Sequence, residues 1–313
     1  MPKRKIFLDL LKIVLAVFVV LIHCNFLGDY NHTINFLTAQ GVFRISVPIF
    51  FIINGYYFKN VIENKKLKNW VVRVAILYFL WTLIYSPIWF DFSIKSLIRN
   101  IFLGYHHLWY IKAMIFCGLS LYFMNRIKHK KLLIIAIMLF MFGVIIQYLG
   151  NYHVFTNAFF DKWTNSLYAY RNFVFFGLPF FILGYLINVT NWEKTLTKKQ
   201  IILLITAGST LLLVESYLNY MNTNQGMDTL FLLILVSPLV FIYALNIQIN
   251  NKFDSKKVAL MSTAIYLIHP WIMHICYLYL IKNTLSLSVI TIVASIGISM
   301  VLIKINTKLK FLL

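Results

Sequence analysis

The chain has 313 residues, of which 61% are hydrophobic and 12% charged, against about 45–50% and about 25% in soluble domains. Together with a mean hydropathy of +0.79, this excludes a disordered protein and a soluble enzyme with a separate cofactor domain, and it predicts an integral membrane protein. The net charge of +20, from 29 Lys+Arg against 9 Asp+Glu, would suggest nucleic acid on a soluble chain; here the positive residues sit in short loops between apolar runs, so no nucleic-acid partner is expected.

The N-terminal Met-Pro-Lys-Arg-Lys and the run behind it imitate a secretory leader. Asp9 and Lys12 interrupt that run and no small-x-small cleavage site follows, so it reads as a retained first transmembrane helix. A spanning helix needs about 20 apolar residues. About ten segments qualify, near 6–27, 42–58, 70–90, 108–125, 132–149, 172–189, 200–218, 229–247, 258–281 and 286–304. Lipid obliges each to satisfy its own backbone, so all are expected to be helices; they are too long and too uniformly apolar for barrel strands. The fold class is therefore all-α, a polytopic membrane helix bundle forming one domain over 1–313.

Loop charge sets the expected orientation. One set of alternate loops and both ends carry Lys3, Arg4 and Lys5; Lys59, Lys65, Lys66 and Lys68; Arg126, Lys128, Lys130 and Lys131; Lys194, Lys198 and Lys199; Lys252, Lys256 and Lys257; and Lys304, Lys308 and Lys310. The other set holds only Lys95, Arg99, Lys162, Arg171 and Lys282. The positive-inside rule then puts both termini in the cytoplasm and the protein in the plasma membrane. Cys24, Cys117 and Cys276 lie in or beside apolar runs without a CxxC, which predicts free thiols and neither a disulfide framework nor a zinc site. The 150–171 segment is rich in aromatics, and two readings stand for it: an interfacial belt, or a rim that stacks on a sugar.

Ionisable groups are costly inside a bilayer and so are candidates for function. Only two carboxylates, Asp9 and Glu215, fall within predicted spans, which argues against paired-carboxylate glycosidase chemistry. No HExxH or HxE offers metal ligands, and no GxSxG elbow offers a serine nucleophile. Histidines and arginines are more telling. His23 lies near the outer end of the first helix, Arg44 opens the second, His107 precedes the fourth, Arg171 opens the sixth and His269 lies in the ninth. A bundle builds one polar site from such facing side chains. Histidine can take a hydroxyl proton near neutral pH, and arginine or a second histidine can hold an oxyanion, so the set suits acyl transfer by a histidine base. The blander alternatives are interfacial histidines, snorkelling arginines and tolerated proline kinks at Pro48, Pro179 and Pro270; His106, His32, His129, His153 and His274 are given the bland reading. Toward the opposite end, Asp9 and Lys12 stand one turn apart and can pair. Lys12 lies about 16 Å along the helix from His23. Arg73 sits beside the Lys-rich 59–68 loop, where an anionic thioester could dock or where the charges simply anchor topology.

These residues carry a resemblance to the acyltransferase-3 family of bacterial membrane acyltransferases. Lys12 and His23 resemble its Arg/Lys-x10-His pattern. Arg44-Ile-Ser-Val-Pro-Ile-Phe-Phe-Ile-Ile-Asn-Gly-Tyr56 resembles Arg-x-x-VP-FFF-x-x-SGY, with Asn54 for the usual Ser and Lys12 for the commoner Arg. His107-Leu-Trp-Tyr110 resembles the HLWY motif. Arg171-Asn-Phe-Val-Phe-Phe-Gly-Leu-Pro-Phe-Phe-Ile-Leu-Gly184 resembles a segment in the membrane domain of vancomycin-resistance serine racemases, and Ser262-x3-Tyr266-Leu-Ile-His269-Pro resembles the ninth-helix signature.

The resemblance implies transfer of an acyl group, usually acetyl, from cytoplasmic acyl-CoA (acetyl-CoA) to a hydroxyl of a cell-envelope glycan on the outer side. It implies His23 as the catalytic histidine, with Arg44 and His107 beside it. Trp109, Tyr110, Arg171, Tyr266 and His269 are expected against substrate, Lys12 and Arg73 at the CoA, and no metal. Neither an SGNH-type domain nor a racemase domain lies within the 313 residues, so a fused second transfer and serine racemization are not expected of them. The competing class is a transporter or exporter of an amino acid or polysaccharide through the same polar core; it would favour internal repeats and broken helices, and no repeat is found. Whether Glu215 or Asp29 orients His23 stays open at this level.

Overall fold

The computed structural model describes residues 5–91, 93–223, 225–247 and 255–313. Lys3, Arg4 and Lys252, read above as loop residues, lie outside them, as does Asp254. Among the described residues the chain is helical throughout, with no strand. Ten principal helices follow the expected order: α1 (Ile6–His23), α2 (Ser46–Glu63), α3 (Leu67–Ile84), α4 (Trp109–Met124), α5 (His129–Asn151), α6 (Leu178–Thr190), α7 (Lys198–Thr223), α8 (Leu233–Asn246), α9 (Ser255–Leu278) and α10 (Thr284–Asn306). The chain is a multi-pass membrane protein.

Nine helical segments among the described residues are long and apolar enough to cross a bilayer, α6 being one of them together with the π-helical turn Phe173–Gly177 that leads into it. The exception to the expected ten is α8, with 14 residues. At 1.5 Å per residue it is about 21 Å long, against about 30 Å of hydrocarbon. The reason lies in the segment before it. Gln147 accepts from the Thr229 amide at 2.8 Å, and Glu215 accepts from the amides of Phe231 and Leu232 at 2.6 and 3.1 Å. These side chains satisfy backbone that would otherwise have to be helical, so the chain enters the protein unwound and carries Asp228 inward.

The centre of the bundle is α6, whose residues from Leu178 through Ile187 are all buried. Its partner is α2. A Cβ on Gly55 would meet the Phe181 carbonyl oxygen at 1.9 Å, and one on Gly184 would meet that of Ile52 at 2.0 Å. The two glycines therefore allow backbone-to-backbone contact, the usual device where lipid supplies no hydrophobic drive between helices. Asn188 adds a bond across the seam, donating to the Tyr56 carbonyl at 2.8 Å. The glycines of the Asn-Gly-Tyr and Leu-Gly motifs thus serve packing. Outward faces of α3, α4, α7 and α10 expose Leu83, Phe123, Leu203 and Val293 as lipid-facing positions do. All three cysteines are free and buried.

In the 150–171 segment Phe159, Trp163 and Tyr168 are exposed and do not line the cavity that Leu167 and Arg171 help to form. That placement fits the interfacial belt better than a stacking rim.

Candidate functional site

Four imidazoles from three parts of the chain meet where α1 ends. The ring of His23 lies 4.5 Å from that of His106 and 5.3 Å from that of His269, and His107 lies 5.2 Å from His269. No three His, Cys, Asp or Glu side chains among the described residues converge as metal ligands; the rings meet by stacking and tilting. His23 has no hydrogen-bond partner among the described residues and faces a cavity. Both ring nitrogens of His107 and Nε2 of His269 are buried without a partner. Buried unpaired nitrogens are uncommon and cost stability, so the cluster is built for something other than packing.

The motifs explain why these rings are there. Pro270 has no N–H, so the Tyr266 carbonyl four residues earlier loses its helical donor. His269 Nδ1 fills the vacancy at 2.8 Å from that carbonyl. Only a protonated Nδ1 can donate there, which leaves Nε2 as the free lone pair aimed at the cluster. Proline is thus a tautomer-setting device, not a mere kink. Before α4 the chain turns sharply: Gly104 has φ +85°, and a Cβ there would meet the Trp109 amide nitrogen at 2.8 Å. His106 itself takes a left-handed φ of 46°, which turns His106 and His107 to different sides. The Tyr266 hydroxyl then fixes the segment by donating to the His107 carbonyl at 2.5 Å.

Beside the imidazoles lies a charged group. Asp228, buried, accepts from Arg44, and Arg171 Nη1 lies 3.4 Å from the same oxygen. Burial pushes the Asp228 carboxyl up, and the adjacent Arg171 and Arg44 guanidiniums overcome this and hold it below its ordinary value. Arg44 also donates to Gln40, while its Nε is buried and unpartnered. Arg171 sits 5.5 Å over the Trp109 ring. A cavity of about 290 Å³ is lined by His23, His106, Arg44, Arg171, Asp228 and Trp109 among others; we term it the far cavity.

A second cavity, of about 420 Å³, opens at the end where α1 begins, and is termed the near cavity. Lys12, Arg73, Lys256 and Lys310 line it, with Asn54, Tyr110 and Tyr266. Lys12 is paired with Asp9 at 2.8 Å. Phe50, Tyr110 and Tyr266 stand between this cavity and the imidazoles, their ring centroids 5.7–6.3 Å apart. Asn54, at the position of the usual Ser, steadies this group by donating to the Tyr110 hydroxyl at 2.9 Å.

The structure therefore brings His23, His107 and His269 together, places Arg44, Trp109 and Arg171 around the adjoining cavity, and gathers Lys12, Arg73 and Tyr110 at the near one, with Tyr266 linking the two. Two functional candidates escaped the sequence reading. His106 was read as bland, yet its ring is nearer to His23 than any other ring. Asp228 falls one residue outside the expected span 229–247; the signal for it is a lone acid in the apolar stretch Met227-Asp228-Thr229-Leu230, on a chain with two rim arginines in need of a counterion. Neither Glu215 nor Asp29 touches His23: Glu215 caps α8, also accepting from the Tyr148 hydroxyl at 2.7 Å, and Asp29 accepts from the Thr284 amide at 2.7 Å.

Known proteins resemble this chain as follows. The sequence profile of the family described as "Acyltransferase domain" (acyltransferase-3) matches residues 5–304. A serine/alanine racemase of Enterococcus gallinarum is 26% identical over 288 residues, covering 84% of this chain and 40% of that racemase. An amino-acid racemase of Enterococcus faecalis is 26% identical over 340 residues, covering 97% of this chain and 46% of its own length. The chain thus spans less than half the length of these curated relatives. No solved structure matches it significantly.

Proposed function

The chain belongs to the acyltransferase-3 family and is a membrane acyltransferase domain, and on that premise we propose that it moves an acyl group, acetyl first among the candidates, from acyl-CoA to a hydroxyl acceptor across the histidine cluster. The observation that carries this reading is the pair of cavities. A cation-lined cavity large enough for the arm of an anionic thioester and a smaller polar cavity approach the same imidazoles from opposite ends. In the plasma membrane, with both termini cytoplasmic, the near cavity takes CoA from inside and the far cavity takes a cell-envelope glycan or related acceptor from outside.

The chemistry follows from the residues. His23 accepts the proton of the acceptor hydroxyl. The oxygen attacks the thioester carbon, the C–O bond forms and the C–S bond breaks; the CoA thiolate leaves and recovers the proton from His23 as the free thiol. Both ring nitrogens of His107 and Nε2 of His269 have no competing partner. His106, 4.5 Å from His23, is placed to donate to the oxyanion with His107, and Arg44 adds positive charge at the cavity wall. Lys12 and Arg73, joined by Lys256 and Lys310, hold the phosphates of the donor by charge. Racemization, the activity in the relatives' names, is not part of this proposal.

The test is CoA release from acetyl-CoA by purified protein in detergent, with succinyl-CoA in parallel. Release that depends on His23 supports transfer. Absence of thermal stabilisation and of release with either donor would sink the proposal and favour transport through the same core.

A further inference from the structure

The charged lining of the far cavity does not balance. Arg44 and Arg171 face a single carboxylate, Asp228, which leaves one positive charge with the histidines neutral. Such a charge in a membrane-embedded site is costly unless something answers it. The donors are also unfilled. A guanidinium carries five N–H groups. Arg171 makes one long contact to Asp228 among the described residues, and Trp109 holds its plane from one side. Arg44 Nε is buried and without a partner. Asp228 therefore splays two guanidiniums and fixes their spacing without satisfying them, as a preorganised receptor for a planar or tetrahedral oxyanion does.

We infer that the far cavity is a binding site for one anionic group, a carboxylate or a phosphate, carried by the acceptor close to the hydroxyl that is acylated. This rests on the reading of the far cavity as the acceptor's. His23 lines the same cavity as both arginines, and at about 290 Å³ the cavity is at the small end of small-molecule sites, which run to about 1,000 Å³. The hydroxyl at His23 and the anion at the arginines therefore belong to one residue-sized unit. The acceptor class is a hydroxy acid, a uronic acid or a glycerol phosphate unit, and a neutral sugar leaves the charge unanswered.

The experiment measures binding to the purified full chain in detergent by thermal shift and calorimetry. The probes are D-glucuronate against D-glucose and glycerol 1-phosphate against glycerol, so that carboxylate and phosphate are separated. At least one anionic probe should bind tenfold or more tightly than its neutral partner. Arg171→Gln should abolish that preference and Arg171→Lys should restore part of it, while Lys162→Gln, an exposed cation outside the cavity, leaves it intact. Equal binding of charged and neutral probes overturns the inference, as does a preference that survives in Arg171→Gln. If Arg171→Gln does not fold, the wild-type probe pairs and Arg171→Lys decide. Acyl transfer is read separately: His23-dependent CoA release with no anion preference removes only this inference. An anion preference without any acetyl-CoA or succinyl-CoA binding removes the transfer reading and keeps the anion site.

Discussion

At the near cavity, Arg73 and Lys310 are exposed and have no ion pair among the described residues, while Lys12 is held by Asp9. At the far cavity, Arg44 and Arg171 are drawn onto one buried carboxylate and braced by Gln40 and Trp109. The contrast is between mobile and fixed charge. Long, solvated cations adapt to a flexible polyanion, and their attraction is screened over about 10 Å at 0.1 M salt. Guanidiniums held by a counterion read position, and burial protects them from screening. A domain that accepts one common donor and one particular acceptor needs the first arrangement at one end and the second at the other.

The sharpest way to break the comparison is to remove the imidazole that lines the far cavity and stands across Phe50, Tyr110 and Tyr266 from the near one. His23→Ala should lower acyl transfer by about 10²–10⁴-fold, the contribution of a positioned general base, with thermal stability and donor binding kept. Transfer retained in that variant removes His23 from the chemistry.

Next in size is Asp228→Asn. It leaves two guanidiniums without a counterion, and breaking a buried pair costs about 3–5 kcal/mol, so the melting temperature should fall and anion binding should lose its geometry. The pH dependence has a definite sign. The folded carboxyl is held below its ordinary 3.8, so its stabilisation is fully present above that value and is lost as pH falls through the lower folded value. Wild type should therefore lose stability on acidification below about pH 4, and the Asn variant should lack that component. Equal acid sensitivity in both would show that Asp228 does not hold the arginines by charge.

A finer cut tests the tautomer device. Pro270→Ala returns an N–H to the Tyr266 carbonyl and competes with His269 Nδ1. One hydrogen bond is worth about 0.5–1.5 kcal/mol, so transfer should fall by up to about tenfold with the fold intact, and histidine NMR should show the Nδ1 proton redistributed. An unchanged tautomer would reduce Pro270 to a simple kink.

How much of this was legible in the sequence divides along physical lines. Length and hydropathy were enough to place the ten principal helices in order, because lipid leaves an apolar stretch of about 20 residues no alternative, whereas short helices between them such as His32–Thr38 and Ala158–Thr164 were not foreseen. His23, His107 and His269 were visible because a polar group at membrane depth needs a reason. The shortening of α8 was hidden, since it depends on Glu215 and Gln147 reaching the 229–232 backbone from other helices. Asp228 was hidden with it: an acid at the edge of an apolar run looks like a loop until the unwound segment is seen to carry it inward. His106 was missed because its role depends on a left-handed φ, which sends neighbouring histidines in different directions and leaves no trace in periodicity.

The smallest expected effect is at the near cavity, where it sharpens the comparison most. Arg73 is exposed, and one solvated charge contributes about 0.2–1 kcal/mol to an ion contact. Arg73→Ala should therefore raise the acetyl-CoA concentration for half-maximal transfer a few-fold, without changing the acceptor requirement or the maximal rate. The defect should also fade in high salt, where wild type loses the same attraction by screening. An Arg171→Gln defect in acceptor binding should persist at that salt, because its partners lie in the protein and not in solvent. If the two variants respond alike to salt, the cavities do not differ in how their charge is held, and the division into a mobile donor end and a fixed acceptor end fails.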